Sequence, residues 1–321
     1  MDLKDIAKPV EDYVDLFDMR FYECATNEGF FVDDISQHLL ASTGKKLRPI
    51  TCLLAAKIAG NVTSQTLRCA LILELMHTAS LIHDDVIDDS DLRRGKDSVK
   101  KKWGNNTAVL YGDYLYGRCL EIFETKEDFL LMGTFAEIGK ELPLGELLER
   151  DVSSRGDYSE DSYMKVISKK TASLFEGAME LGAKSTTADV EIINALKSCG
   201  YYLGLAFQIR DDIRDYFSQE ATGKVFANDI KEKKITLPLI YLLDSIKDEQ
   251  EKSKVIAFIQ SEDKKEKDIL TLIDKVKAAG RIEKAQSKVR DFCNMARFQL
   301  DICEDSVSKN ALLNLLDYIS E

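Results

Sequence analysis

Proline is almost missing from this sequence: 4 residues in 321, alongside 17 glycines, 3 histidines and 1 tryptophan. So few breakers leave little scope for many short strands and favour long, uninterrupted helices. A basic excess is also missing. Lys and Arg total 44 against 56 Asp and Glu, for a formal net charge of −12. That argues against nucleic acid as a partner, because its binding rests on basic patches that neutralise phosphates. Small phosphorylated substrates need only a local basic pocket and stay open. The 7 cysteines are odd in number and form no CxxC pair, so neither a disulfide framework nor a zinc site is suggested, and a reducing cytoplasm is expected. The N-terminus, MDLKDIAKPVEDYVDLF, has no signal-peptide core. No apolar run approaches the length of a membrane span.

What is present is helical periodicity nearly throughout. From Thr63 to Asp89 there is no Gly or Pro, and apolar residues recur at three and four. One long helix is expected there, capped by Thr63 or Ser64. Further helices are expected over 110–123, 129–149, 162–182 and 190–217, with 153–157 as a loop. Gly200 and Gly204 share a face of the last of these and allow a close approach. Residues 218–236 turn polar, and Pro238 can open the next helix. The charged runs at 244–254 and 261–268 read as solvated surface. With no linker, repeat or low-complexity tract, residues 1–321 read as one all-α domain.

Two clusters carry the chemistry. Asp84 and Asp88 are four apart on one helix face with Asp85 beside them, and like charges at that spacing repel. They also lie near a helix C-terminus, where negative charge is unfavourable. A hard cation compensates: magnesium typically takes one or two carboxylates plus phosphate oxygens. A plain acidic surface patch is the competing reading, but the turns before the cluster are almost wholly apolar. Asp211, Asp212 and Asp215 repeat the design, with Gln208 and Gly204 on the same face. No DxDxDG loop occurs, so this is not an EF-hand.

Basic residues stand next to these clusters: Lys45, Lys46 and Arg48 in GKKLRP, Arg93 and Arg94, Lys169 and Lys170, Lys224 and Lys234. Each alone is more simply a surface cation; as a set they suit phosphate. His77 lies on nearly the same face as Asp84, His83 adjoins the cluster, and His38 reads as surface. Trp103 and Tyr111, Tyr114 and Tyr116 read as core.

Together GKKLRP, LMHTASLIHDDVIDDSDLRRG, WGNNTAVLYGDYLY, KKTASLF, GLAFQIRDDIRD and TGK…NDIKEKKITLPL resemble the trans-isoprenyl (polyprenyl) diphosphate synthase family over roughly 44–238. The resemblance implies an antiparallel helical bundle around a central cavity, a homodimer, and Mg2+ held by Asp84, Asp85, Asp88, Asp211, Asp212 and Asp215. It assigns the allylic diphosphate to Arg93, Lys170, Thr171, Gln208, Lys224 and Lys234, and isopentenyl diphosphate to Lys45, Arg48, His77 and Arg94. Three departures stand out. Lys233-Lys234 replaces a common Gly-Lys, Glu149 stands where Gln is frequent, and the chain lacks the basic tail that closes some short-chain members. The implied reaction ionises the allylic diphosphate, and isopentenyl diphosphate attacks the cation. Charge develops on the departing diphosphate, where metals and cations stabilise it.

Product length should follow from the residues below Asp84. Relatives that stop early carry an aromatic four or five positions before it; here Ser80 and Ala79 are small, and Met76 lies a turn deeper. A product longer than farnesyl, such as octaprenyl, is expected. The alternatives are a geranylgeranyl or farnesyl synthase, a partner subunit of a heteromeric synthase, a terpene cyclase, or a helical scaffold. A partner subunit would lose a metal motif, a cyclase rarely carries DDIRD as its second motif, and a scaffold leaves the duplicated acidic helix ends unexplained.

Overall fold

The computed structural model describes residues 3–26, 29–41, 44–123, 125–187, 189–217 and 227–321. It is almost entirely helical, as expected. The longest helices are Ser64–Ile87, Met132–Arg155 and Val190–Arg214. Helices Glu11–Ala25, Leu47–Ala59, Asn105–Glu121, Ser173–Lys184, Arg281–Gln299 and Val307–Ser320 pack around them. Among the described residues no helix is long and apolar enough to cross a membrane.

Local sequence sets the ends. Thr63 caps Ser64–Ile87 with a reciprocal box, its side chain accepting from the Thr66 N–H while the Thr66 hydroxyl takes the Thr63 N–H. Pro238 sits in the first turn of Leu237–Ser245. The stretch 153–157 is a correction: the helix continues through Arg155, and Gly156 at φ +66° ends it by bonding back to Ser153 and Val152. The loop-like Ser-Ser pair tolerates helix once a left-handed glycine stop follows. The expected helix 162–182 is interrupted by one π-helical turn, Ser168–Ala172, where the Ser173 N–H reaches back to the Ser168 carbonyl.

Two apolar cores result. One joins Leu47–Ala59 to the helices after Ser173; the other gathers the inner face of Ser64–Ile87 against Asn105–Glu121 and Met132–Arg155. Gly200 and Gly204 bring Val190–Arg214 onto the preceding helix as expected. A Cβ at these positions would lie 2.5 Å from the Phe175 carbonyl oxygen and 2.5 Å from the Ala172 Cα. The helix axis is therefore held against the π turn, which fixes where the second aspartate cluster stands.

Candidate active site

The Ser64–Ile87 helix buries Cys69 to Met76 completely or nearly so and delivers its acidic end to the rim of that core. Asp85 is only 3% exposed. A hairpin absent from the sequence reading explains its partner: Leu92–Arg93 pairs antiparallel with Lys96–Asp97. The turn residues Arg94 and Gly95 both have positive φ, 53° and 77°, the geometry of a two-residue hairpin. It returns Arg93 onto Asp85, whose Oδ1 accepts from Nε at 2.9 Å and also from Nη2. Burial, followed by the negative charge of Glu146, pushes the Asp84 carboxyl up to about 7. Asp88 meets Lys234 Nζ at 3.0 Å.

At the second cluster Asp212 is buried, accepting from Tyr163 Oη at 2.5 Å and from Gln208 Nε2 at 2.6 Å. The Gln208 Oε1 in turn accepts from Thr171 Oγ1 at 2.6 Å. Burial raises Asp212 to about 7 even against those hydrogen bonds, with Asp211 and Glu149 adding to the rise. Asp215 accepts backbone N–H bonds from Asn228 and Asp229, both at 2.9 Å. It thereby fastens the short helix Asn228–Lys231 to the end of its own helix. Asp229 is itself held well above the carboxylate range, by burial and then by Asp212 and Asp215.

The wall between the clusters was not anticipated. Gly145 lets the Met132–Arg155 helix touch the π turn: a Cβ there would stand 2.7 Å from the Lys170 backbone N. Glu146 and Glu149 then reach Lys170 Nζ at 2.6 and 2.8 Å. Burial opposes charge on Lys170, but Glu149 and Glu146 outweigh it and raise its pKa. Lys234 is raised likewise, with burial overcome by Asp88, Glu232 and Glu149. A continuous chain of charges thus runs Asp84, Glu146, Lys170, Glu149 to Asp212, and Lys234 joins Glu149 to Asp88.

A second group lies beside it. Arg48 Nη1 is 3.0 Å from His77 Nε2 and its guanidinium stands 4.9 Å from the Phe175 ring centre. Burial, then Arg48, Arg94 and Arg93, drives His77 well below its usual value, so it is neutral and accepts. Burial also lowers Arg48 to about 10, with Asp211 and buried Glu74 favouring its charge. The buried Nε of Arg48 has no hydrogen-bond partner. Buried polar groups without partners are costly, and an anionic oxygen here would satisfy this one. Arg94 passes directly over Gly44.

Asp84, Asp88, Asp212, Lys170, Thr171, Gln208 and Lys234 come together; Arg48, His77 and Arg94 form the adjoining group. Lys45 is exposed on the turn before Leu47–Ala59, while Lys46 pairs with Asp18 at 2.6 Å. Lys224 lies outside the described residues. Met76 and Ala79 are fully buried and Ser80 half-buried, its hydroxyl turned back to the His77 carbonyl at 2.9 Å. His38 is a correction: it is half-buried, bonded to the Asp97 carbonyl at 2.7 Å and set edge-on to Trp103. His83 is packed, between the Val109 carbonyl and the Tyr116 ring. Tyr111 is core; Trp103, Tyr114 and Tyr116 are only partly buried around it. At the chain's end Tyr318 faces the Arg210 guanidinium, 4.2 Å from its ring centre.

Among the described residues no three Asp, Glu, His or Cys side chains already converge to hold a metal ion. The donor set nonetheless fits magnesium, which needs few carboxylates and completes its octahedron with water and phosphate oxygens. Carboxyls raised by burial and by neighbouring carboxylates, as Asp84 is by Glu146 and Asp212 by Asp211, gain most from a nearby cation.

Residues 31–276 match the family model described as polyprenyl synthetase. The all-trans-nonaprenyl-diphosphate synthase (geranyl-diphosphate specific) of Rhodobacter capsulatus is 32% identical over 97% of this chain and 95% of its own. The short chain isoprenyl diphosphate synthase of Methanothermobacter thermautotrophicus is 33% identical over 89% of each. The crystal structure of a polyprenyl synthase from Caulobacter crescentus, complexed with calcium and isoprenyl diphosphate, superposes with a TM-score of 0.91 at 29% identity, covering 99% of this chain and 97% of that one. The chain belongs to the polyprenyl synthetase family, and is a prenyltransferase that condenses isopentenyl diphosphate with an allylic diphosphate.

Proposed function

We propose that this chain adds isopentenyl diphosphate repeatedly to an allylic diphosphate, with magnesium, to give an all-trans polyprenyl diphosphate longer than farnesyl. The observation that carries the site is the Asp84–Glu146–Lys170–Glu149–Asp212 chain, which joins both aspartate clusters into one charged wall. Magnesium bound by the six aspartates Asp84, Asp85, Asp88, Asp211, Asp212 and Asp215 would screen their mutual repulsion and supply Lewis acidity to the leaving diphosphate. Lys170, Lys234 and Arg93, with Thr171 and Gln208 beside them, bind and orient the allylic diphosphate; Lys224 joins them from the following segment. Lys45, Arg48, His77 and Arg94 hold isopentenyl diphosphate, and neutral His77 keeps Arg48 aimed. The apolar turns below Asp84 exclude water from the allylic cation. No side-chain nucleophile is needed, and the released diphosphate is available as the base.

Length rests on Ser80 and Ala79, which place no aromatic under Asp84. Met76 is the next side chain down, lying against Gly139, whose Cβ position is 3.5 Å from the Met76 Cε. Its thioether is adaptable. A full stop at Met76 would instead give a geranylgeranyl-length product, which its complete burial favours. Sizing the products made from labelled isopentenyl diphosphate and an allylic primer decides; farnesyl as the sole product sinks the proposal. We also propose that the whole chain acts as one domain within a homodimer. Val109, Leu110, Leu120, Phe129, Leu130 and Leu147 are large apolar side chains left exposed, and burial against a second copy would cover them. Seven free thiols suit the cytoplasm.

A further inference from the structure

A cavity of about 360 Å³ lies against the Ser64–Ile87 helix, on the face formed by Glu74, Leu75, Thr78, Leu81, Ile82 and Asp85. At 3.6 residues per turn that face is roughly opposite the one carrying Met76, Ser80 and Asp84. It is therefore a different space from the tail path proposed above. Its size falls in the range of small-molecule pockets, about 300–1,000 Å³. Asp85 to Glu74 spans eleven residues, or about 16 Å, long enough for about three isoprene units end to end.

The cavity is amphipathic in the same sense as the substrates. Helices Glu11–Ala25 and Phe30–Leu40 line it with Phe17, Phe21, Tyr22 and Leu39, and Leu115 closes it from Asn105–Glu121. Lys46, Arg93 and Arg94 line it as well, and Arg93 and Arg94 adjoin the active site. These cations have acidic company: Lys46 pairs with Asp18, Arg93 with Asp85, and Arg94 faces Glu74. A head group must displace those carboxylates, so the tail supplies the selectivity. Isopentenyl diphosphate gains little from the apolar end, whereas a long prenyl chain gains burial along all of it.

We propose that this cavity holds the hydrocarbon tail of a second prenyl diphosphate, with its head at the Lys46–Arg94 end, so that accumulated product excludes isopentenyl diphosphate. The proposal rests on the prenyl-transfer reading. The test uses the full chain with magnesium and saturating farnesyl diphosphate. Isopentenyl diphosphate is varied, and the unreactive geranylgeranyl S-thiolodiphosphate is the inhibitor. Expected is inhibition competitive with isopentenyl diphosphate that persists at saturating farnesyl diphosphate. Filling the cavity with Thr78→Phe or, from a separate helix, Leu39→Trp should raise the inhibition constant at least about tenfold, as the tail loses buried length. Turnover number and product length should stay unchanged. Inhibition that saturating farnesyl diphosphate abolishes, or folded variants inhibited like the wild type, overturns the proposal. Shortened products overturn it too, by making the cavity the growth path. If neither variant folds, calorimetry on the wild type decides: two equivalents of the thiolodiphosphate per chain support the second site, one refutes it. Absence of any wild-type turnover would instead sink the prenyl-transfer reading.

Discussion

Gly145→Ala should damage the active site from a position that touches no substrate. The added Cβ would stand 2.7 Å from the Lys170 backbone N and 2.9 Å from its Cα. Neither atom can rotate away. Restoring an ordinary contact of 3.4 Å requires the Met132–Arg155 helix and the π turn to part by about 0.7 Å at that point. Lys170 and Thr171 ride on the turn, and Glu146 and Glu149 on the helix, so the separation stretches the charge chain between the clusters. Overpacking costs about 1–3 kcal/mol, offset by about 1 kcal/mol from replacing a helical glycine with alanine. Misplacement on this scale should lower kcat/KM for the allylic diphosphate about 10- to 100-fold. Steady-state kinetics beside urea unfolding reads both effects. Two controls separate them. Gly117→Ala, exposed and with nothing within 4 Å, should be neutral or stabilising by about 0.5–1 kcal/mol. Gly182→Ala meets the Cys52 carbonyl at 2.2 Å, about 16 Å along the chain from Thr171, and should cost stability while kcat/KM holds. Gly145→Ala with kcat/KM within twofold of wild type would refute the positioning argument.

Other outcomes follow from the same geometry. Asp84 and Asp212, ordinarily near 3.8, sit at about 7 when folded, so the folded chain keeps protons that the unfolded chain releases. Their contribution to the stability of the metal-free protein is complete below about pH 4 and is lost as pH rises through about 7. Urea midpoints in EDTA should therefore fall from pH 5 to pH 8, and Asp84→Asn should flatten that fall while costing activity; an equal fall in the variant contradicts the assignment. Glu149→Gln leaves Lys170 less neutralised, so KM for the allylic diphosphate should drop; a rise would mean Glu149 itself serves the diphosphate. Ser80→Phe should shorten the product and Met76→Ala lengthen it, read by chromatography of dephosphorylated products; unchanged lengths in both would refute the tail path. Ala79→Phe is the poorer probe, because Ala79 is fully buried and the change is expected to cost about 1–3 kcal/mol.

The aspartate clusters were legible because repulsion at i, i+4 on the ends of apolar helices demands a partner, and the sequence alone contains both halves of that argument. The Thr63 cap, Pro238 and the Gly200–Gly204 face were legible for equally local reasons. Glu146 and Glu149 were not read as site residues. They belong to a helix that is polar on several faces, and only the contact at Gly145 reveals which face meets Lys170. The same holds for Tyr163 and Asp229, whose partners lie 49 residues away or depend on the fold of the Asn228 turn. The Leu92–Asp97 hairpin escaped because strands of two residues show no alternation. Ser153–Arg155 read as loop on composition, which the downstream glycine stop overrides.

The central claim is that both aspartate clusters serve one metal–diphosphate site that builds chains beyond farnesyl. Radiolabelled isopentenyl diphosphate with geranyl diphosphate as primer, with magnesium or with EDTA, tests it in one gel. The account predicts a product longer than fifteen carbons (about three isoprene units) with magnesium and none with EDTA, and loss of the magnesium-dependent elongation in both Asp84→Asn and Asp212→Asn. Farnesyl alone, or elongation that survives EDTA or either substitution undiminished, would contradict it.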